Sequence, residues 1–164
     1  MKHRLVFLVL ALLVVGLLST AATFAHQTDF WQPADFEDWM HSFFQPSKDE
    51  AEPFANMAYI YQNGDDNQAE QVQQGENNQA YIYQNGDGNM AEQWQYGVGN
   101  WAGVYQLGHR NTATTQQVGT DNWAGIYQMG DANTARIQQS GESFTALITQ
   151  VGNGNTAVIQ QKSK

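Results

Sequence analysis

The sequence predicts an all-β fold: a β-solenoid of five 22-residue strand–turn–strand rungs, built from ten 11-residue units and preceded by a short leader. Three observations predict it. From residue 56 onward one unit recurs at a spacing of 11 without insertion or deletion, and a fixed period of this kind signals a repeat architecture. Inside the unit, positions 1, 3, 5 and 7 are constant while 2, 4, 6 and 8 vary, and alternation by two specifies one face of a strand. A second period of 22 separates odd units from even ones, so like strands recur every other unit.

Composition bounds the classes. At 164 residues the chain has room for one ordinary domain. Only 14% of residues are charged, against roughly 25% in a typical soluble domain. Amides replace the missing charge, with 21 Gln and 13 Asn. No cysteine is present, which excludes a disulfide scaffold and Cys-based zinc sites. A net charge of −9 argues against nucleic acid as partner, because phosphate binding needs Lys and Arg. Four scattered His residues leave little for a metal centre, and no cofactor is expected.

The first element is an address. Lys2 and Arg4 precede the apolar run Leu5–Leu18, and Ser19–Ala25 is small and polar. This is the layout of a secretory signal peptide, residues 1–25, cleaved between Ala25 and His26. The run is short for a membrane span of about 20 residues, so no span is expected after cleavage. Losing two cations takes the net charge from −9 to −11.

Residues 26–55 form an acidic, aromatic leader with Asp29, Asp35, Glu37, Asp38, Asp49, Glu50 and Glu52 against one Lys. Asp35 suits the cap of a short helix near 35–44, with Phe36, Trp39, Met40 and Phe43 on one face between Pro33 and Pro46. A leader without fixed structure is the alternative. The docking reading makes it a segment that addresses a secretion pore or covers the first rung.

Units then start at Asn56, Asn67, Asn78, Asn89, Asn100, Asn111, Asn122, Asn133, Phe144 and Asn155. Position 7 is always Gln: Gln62, Gln73, Gln84, Gln95, Gln106, Gln117, Gln128, Gln139, Gln150 and Gln161. Position 3 is always Ala, and position 5 is Ile or Val in seven units. The expected apolar core is therefore Ala58, Ile60, Ala80, Ile82, Ala102, Val104, Ala124, Ile126, Ala135, Ile137, Ala146, Ile148, Ala157 and Ile159. Gln71, Gln93 and Thr115 are the exceptions at position 5. Position 9 supplies Gly64, Gly75, Gly86, Gly97, Gly108, Gly119, Gly130, Gly141 and Gly152, expected with two loose residues to turn the chain. Each unit reads as a strand of about seven residues plus a tight turn, and five stacked rungs make a two-sheet sandwich roughly 24 Å tall.

Amides in such a core need partners, since burying one unpaired costs on the order of 1–3 kcal/mol. Stacking supplies them: each Gln and Asn side chain bonds to its copy one rung away. Asn at position 1 also suits the turn. The first and last rungs then present unpaired backbone and open amides, an edge that natural proteins usually blunt. Adding a rung to an existing end is favourable, whereas the first rung must be ordered alone at roughly 1–2 kcal/mol per residue. A nucleated cross-β polymer follows.

The unit N-x-A-x-I-x-Q-x-G-x-x, doubled to 22 residues behind a signal peptide, resembles the curlin repeat. Asn78-Gln79-Ala80-Tyr81-Ile82-Tyr83-Gln84-Asn85-Gly86 is one copy; Asn133-Thr134-Ala135-Arg136-Ile137-Gln138-Gln139-Ser140-Gly141 is another. The resemblance covers 109 residues, 56–164. It implies a subunit of curli, extracellular amyloid fibres of Gram-negative bacteria that serve adhesion and biofilm matrix. It also implies passage through the periplasm with accessory proteins, a dedicated outer-membrane pore, and stacking with itself and with a second curlin-type subunit at the cell surface. Asn-x-Ala opening almost every half-repeat leans toward the minor, nucleating type, with the major subunit as the alternative.

Two surface features depart from the plain repeat. An outward aromatic face is expected on the odd sheet, from Tyr59, Tyr61, Tyr81, Tyr83, Trp101, Tyr105, Trp123 and Tyr127, and exposed aromatics at this density suggest lateral contact. Charge is sided too: residues 56–109 carry six acids and no Lys or Arg, 110–164 three acids and four bases. Asp65, Asp66, Asp87 and Asp131 in the turns are expected to slow assembly by repulsion. Calcium-binding and ice-binding solenoids fit worse. The first needs tandem G-G-x-G-x-D-x; the second needs a flat Thr array, of which Thr112, Thr134 and Thr156 form one column only. No Ser/His/Asp or paired-carboxylate set interrupts the repeat, so no enzyme is expected.

Overall fold

The computed structural model describes residues 55–164. The expected signal peptide, its cleavage point and the helix near 35–44 lie outside the described residues. Ten strands follow in order: β1 (Met57–Asn63), β2 (Gln68–Glu76), β3 (Gln79–Asn85), β4 (Met90–Val98), β5 (Trp101–Leu107), β6 (Thr112–Thr120), β7 (Trp123–Met129), β8 (Thr134–Glu142), β9 (Thr145–Val151) and β10 (Thr156–Lys162). Odd strands form one parallel sheet in the order β1-β3-β5-β7-β9, and even strands the other, β10-β8-β6-β4-β2. This is the five-rung solenoid that the two periods predict.

Register follows from composition. Ala58 pairs with Ala80 and Ile60 with Ile82, and the same 22-residue offset holds in every ladder, so each residue lies on its own copy. A slip by one residue would turn Ala, Ile and Gln out of the core. Ala80, Ala91, Ala102, Ala113, Ala124 and Ala135 are buried with Ile82, Val104, Ile126, Ile137 and Ile148. Small Ala at position 3 lets the sheets approach, and the branched residue at position 5 fills the width. The core opens at the first rung and at β10, while Ile148 in the edge strand β9 stays buried. Ile60, in the first rung, is 42% exposed, and Ile159 in the last is half-buried.

The even strands differ from expectation. They run nine residues rather than seven in β2, β4, β6 and β8. Gly75, Gly97, Gly119 and Gly141 therefore lie inside strands, not turns, and pair with one another. The sharp bend falls two residues later, on Asn77, Gly99, Asp121 and Ser143, whose φ values of 55, 69, 53 and 56° are left-handed. Position 9 is glycine for a stacking reason as well as a conformational one. A Cβ on Gly86 would strike the carbonyl oxygen of Gly108, one rung on.

Candidate functional site: the open ends of the stack

The fold holds two kinds of amide column, and they run in opposite directions. At position 7 each Gln donates toward the later rung: Gln62 Nε2 to Gln84 Oε1 at 2.7 Å, Gln84 to Gln106 at 2.8 Å, Gln106 to Gln128 and Gln128 to Gln150 at 2.9 Å. The even sheet repeats this through Gln73, Gln95, Gln117, Gln139 and Gln161. From Gln73 onward the second hydrogen of Nε2 crosses the core to a backbone carbonyl of the facing strand, as Gln84 does to Gln68 O at 3.0 Å. Both sheets are thus tied at every rung.

At position 1 each Asn donates toward the earlier rung. Asn78 Nδ2 reaches Asn56 Oδ1 at 3.1 Å, and the same oxygen accepts the Asn78 backbone N–H at 2.9 Å. The other Nδ2 hydrogen goes to the Gly97 carbonyl at 2.9 Å. Asn89, Asn100, Asn111, Asn122 and Asn133 repeat the pattern, each toward its position-9 glycine. Asn and Gly are therefore one device: the side chain holds the carbonyl of the position-9 glycine, whether that glycine lies in a turn or in a strand. Phe144 breaks the odd column, where only its backbone N–H remains to bond Asn122 Oδ1 at 3.1 Å. In the even sheet the column continues to Asn155.

A third column, not anticipated from sequence, lies in the turns. Asp65 N–H donates to Asp87 Oδ1, Asp87 N–H to His109 Nδ1, His109 N–H to Asp131 Oδ1 and Asp131 N–H to Asn153 Oδ1, at 2.8 to 3.1 Å. The only signal in sequence is that position 10 of the odd units always carries a side-chain acceptor.

The outward aromatic face is not the exposed surface expected. Tyr59 and Tyr61 are exposed, but Tyr81 is 5% and Tyr105 7% exposed. Along the face, rings of successive rungs stack. Tyr61–Tyr83, Tyr83–Tyr105 and Tyr105–Tyr127 lie 5.0, 4.6 and 5.3 Å apart with nearly parallel planes. Trp101 and Trp123 stack at 4.9 Å and 3°. Gly103 and Gly125, paired between them, form the floor: a Cβ on Gly125 would come within 2.8 Å of the Trp123 ring. The missing side chains at 103 and 125 were the available signal. Burial holds the Tyr81 and Tyr127 phenols up at about 12, and burial followed by the neighbouring tyrosines raises Tyr83 and Tyr105 as well.

Chemically the arrangement offers no reactive centre among the described residues, and no cluster of His, Asp or Glu there is placed to hold a metal. What it offers is unfinished stacking. At the β1/β2 end the Gln columns present Oε1 atoms and the Asn columns N–H groups. At the β9/β10 end the Gln columns present N–H hydrogens and Asn155 presents Oδ1.

The family model described as Curlin associated repeat matches residues 72–92, 108–141 and 130–162, within the stacked region. The chain belongs to the curlin family. No curated protein matches it. As a curlin, it is a structural subunit of the curli type, and the matched segments include most of the closed rungs, where the amide columns are continuous.

Proposed function

We propose that this curlin polymerises head to tail into an extracellular amyloid fibre at the cell surface, for adhesion and biofilm matrix. The observation that carries the reading is the opposite polarity of the two open ends. Placing a second copy one 22-residue step beyond β9/β10 lets Gln150 and Gln161 donate to Gln62 and Gln73 of the next copy. Asn155 Oδ1 then accepts from Asn67, as Asn133 does from Asn155 at 3.0 Å. Two like ends brought together would set acceptor against acceptor. The turn column extends too, Asn153 N–H meeting Asp65. Each junction adds a strand pair per sheet, with backbone bonds of roughly 0.5–1.5 kcal/mol each.

Residues 1–25 export the chain into the periplasm, and 26–55 address the outer-membrane pore or cover the first rung. The chain acts as the minor, nucleating subunit, with a second curlin-type chain as its partner. Thioflavin kinetics of the purified chain, alone and at trace amounts with that second subunit, test this. Nucleation is supported by strong acceleration of the partner. Self-seeding in bulk with no effect on the partner indicates the major role, and a chain that stays monomeric at every concentration removes the fibre reading.

A further inference from the structure

Position 5 separates the two sheets. In the odd strands it is aliphatic from Ile60 to Ile148. In the even strands it reads Gln71, Gln93, Thr115, Ile137, Ile159, so the first two rungs carry a short amide column where the last two carry hydrocarbon. Gln71 Nε2 donates to Gln93 Oε1 at 2.8 Å and to Tyr59 O at 3.2 Å. There the column stops. Gln93 is 1% exposed and its Nε2 has no partner; Thr115, its register neighbour, is 0% exposed and its Oγ1 has none either.

The outer end of the column is also unfinished. Gln71 Oε1 is closed off from solvent and has no partner. In both position-7 Gln columns, as in the Gln71–Gln93 pair itself, Oε1 accepts from the preceding rung, and Gln71 has no preceding rung. If copies stack in the 22-residue step, the residue placed there is Ile159, which has no hydrogen to give. The neighbouring position-7 column passes through the same junction without a break, from Gln161 to Gln73. In the even sheet the mismatch is thus confined to one side chain; in the odd sheet the same junction sets the Asn56 N–H groups on Phe144, which has no Oδ1 to accept them.

We infer that the β1/β2 face fits a different curlin-type chain, one whose last even unit carries Gln at position 5. That side chain donates its Nε2 hydrogen to Gln71 Oε1 and continues the column. The inference rests on head-to-tail stacking and adds a preference for the partner. A buried polar atom left unpartnered costs about 1–3 kcal/mol, which is roughly a 5- to 150-fold difference in retention at 1.4 kcal/mol per tenfold.

The test uses surface-bound fibre fragments of the full chain, wild type and Ile159→Gln, and follows capture and release of labelled full-length wild-type chain. Fragments bearing Ile159→Gln present the missing donor at their β9/β10 end. The amide oxygen of that Gln faces Ile137 whether or not a chain is bound, so it drops out of the comparison. Release from these fragments is expected to be about 5- to 150-fold slower than from wild-type fragments. A second incoming chain, Gln71→Ile with Gln93→Ile, keeps the test sharp if the altered fragments are unstable. It should be held more tightly than wild type by wild-type fragments, and should lose the preference for Ile159→Gln. Equal release in all pairings overturns the inference and leaves head-to-tail stacking standing. Failure of the wild-type chain to form any fibre overturns both.

Discussion

A single amide in a Gln column serves three partners, and this sets what its loss costs. Gln106 donates to Gln128 Oε1 and to the Met90 carbonyl, and accepts from Gln84 Nε2. Gln106→Ala strands all three groups in a closed core. At about 1–3 kcal/mol for each polar group left buried without a partner, the substitution is expected to destabilise the rung stack by several kcal/mol, read as the guanidinium midpoint of fibre dissolution. Gln116→Ala, on the half-buried outer surface one sheet away, should shift it far less. Backbone conformation gives a prediction of opposite sign. Ala132 holds φ at 55° where Gly88, Gly99 and Gly154 occupy the same unit position elsewhere. Ala132→Gly relieves roughly 1 kcal/mol of left-handed strain and should raise the midpoint. Gly86→Ala should abolish assembly, because its Cβ meets the Gly108 carbonyl. Inward positions were legible in the sequence because period two fixes them wherever the period holds. The left-handed positions were not, since Asp66, Asn77, Arg110, Asp121, Ala132 and Ser143 share a backbone angle but no side-chain chemistry.

Among elements, the odd sheet differs from the even one in its stacked rings, and these respond to alkali. The Tyr81 and Tyr127 phenols are raised to about 12 by burial, against 10 in the unfolded chain. A group whose neutral form is favoured by folding binds its proton more tightly in the stack. Above pH 10 the unfolded chain loses that proton first, so stability is complete below pH 10 and falls as pH rises toward 12. Tyrosinate absorbance and fibre dissolution should therefore rise together between pH 10 and 12. Tyrosinate appearing fully near pH 10 with the fibre intact would contradict the buried column. The sequence placed these rings on the correct face but not at the correct depth. Alternation tells which side of a strand a residue leaves from but not its depth: Tyr83 and Tyr105 stack in one column, yet Tyr105 is buried and Tyr83 only half-buried. The even strands show a related limit. Glycine at position 9 reads as a turn in any sequence, and only the in-register pairing of Gly75 with Gly97 keeps it in the strand.

For the whole molecule, charge along the turn column decides which closure is slow. Reading upward, it holds Asp65, Asp87, His109, Asp131 and Asn153. His109 separates two of the acids, and its Nδ1 lies 3.4 Å from an Asp87 carboxylate oxygen. The one like-charged neighbour pair is Asp65 on Asp87, at the closure of the first rung onto the second. At a junction between copies Asn153 meets Asp65, with no like charges opposed. Repulsion therefore acts within the chain, on the rung that forms the acceptor end, rather than between stacked copies. Asn accepts a backbone N–H at this position as well as Asp does, as Asn153 shows at 2.8 Å. Asp87→Asn consequently keeps the bond and removes the repulsion, and should shorten the lag of polymerisation at low salt. Asp131→Asn, between His109 and Asn153, should leave it unchanged. Both turns are exposed, so the difference should fade near 1 M salt, where the screening length is about 3 Å. Equal lags for the two variants at low salt would place the slow step elsewhere than the first rung.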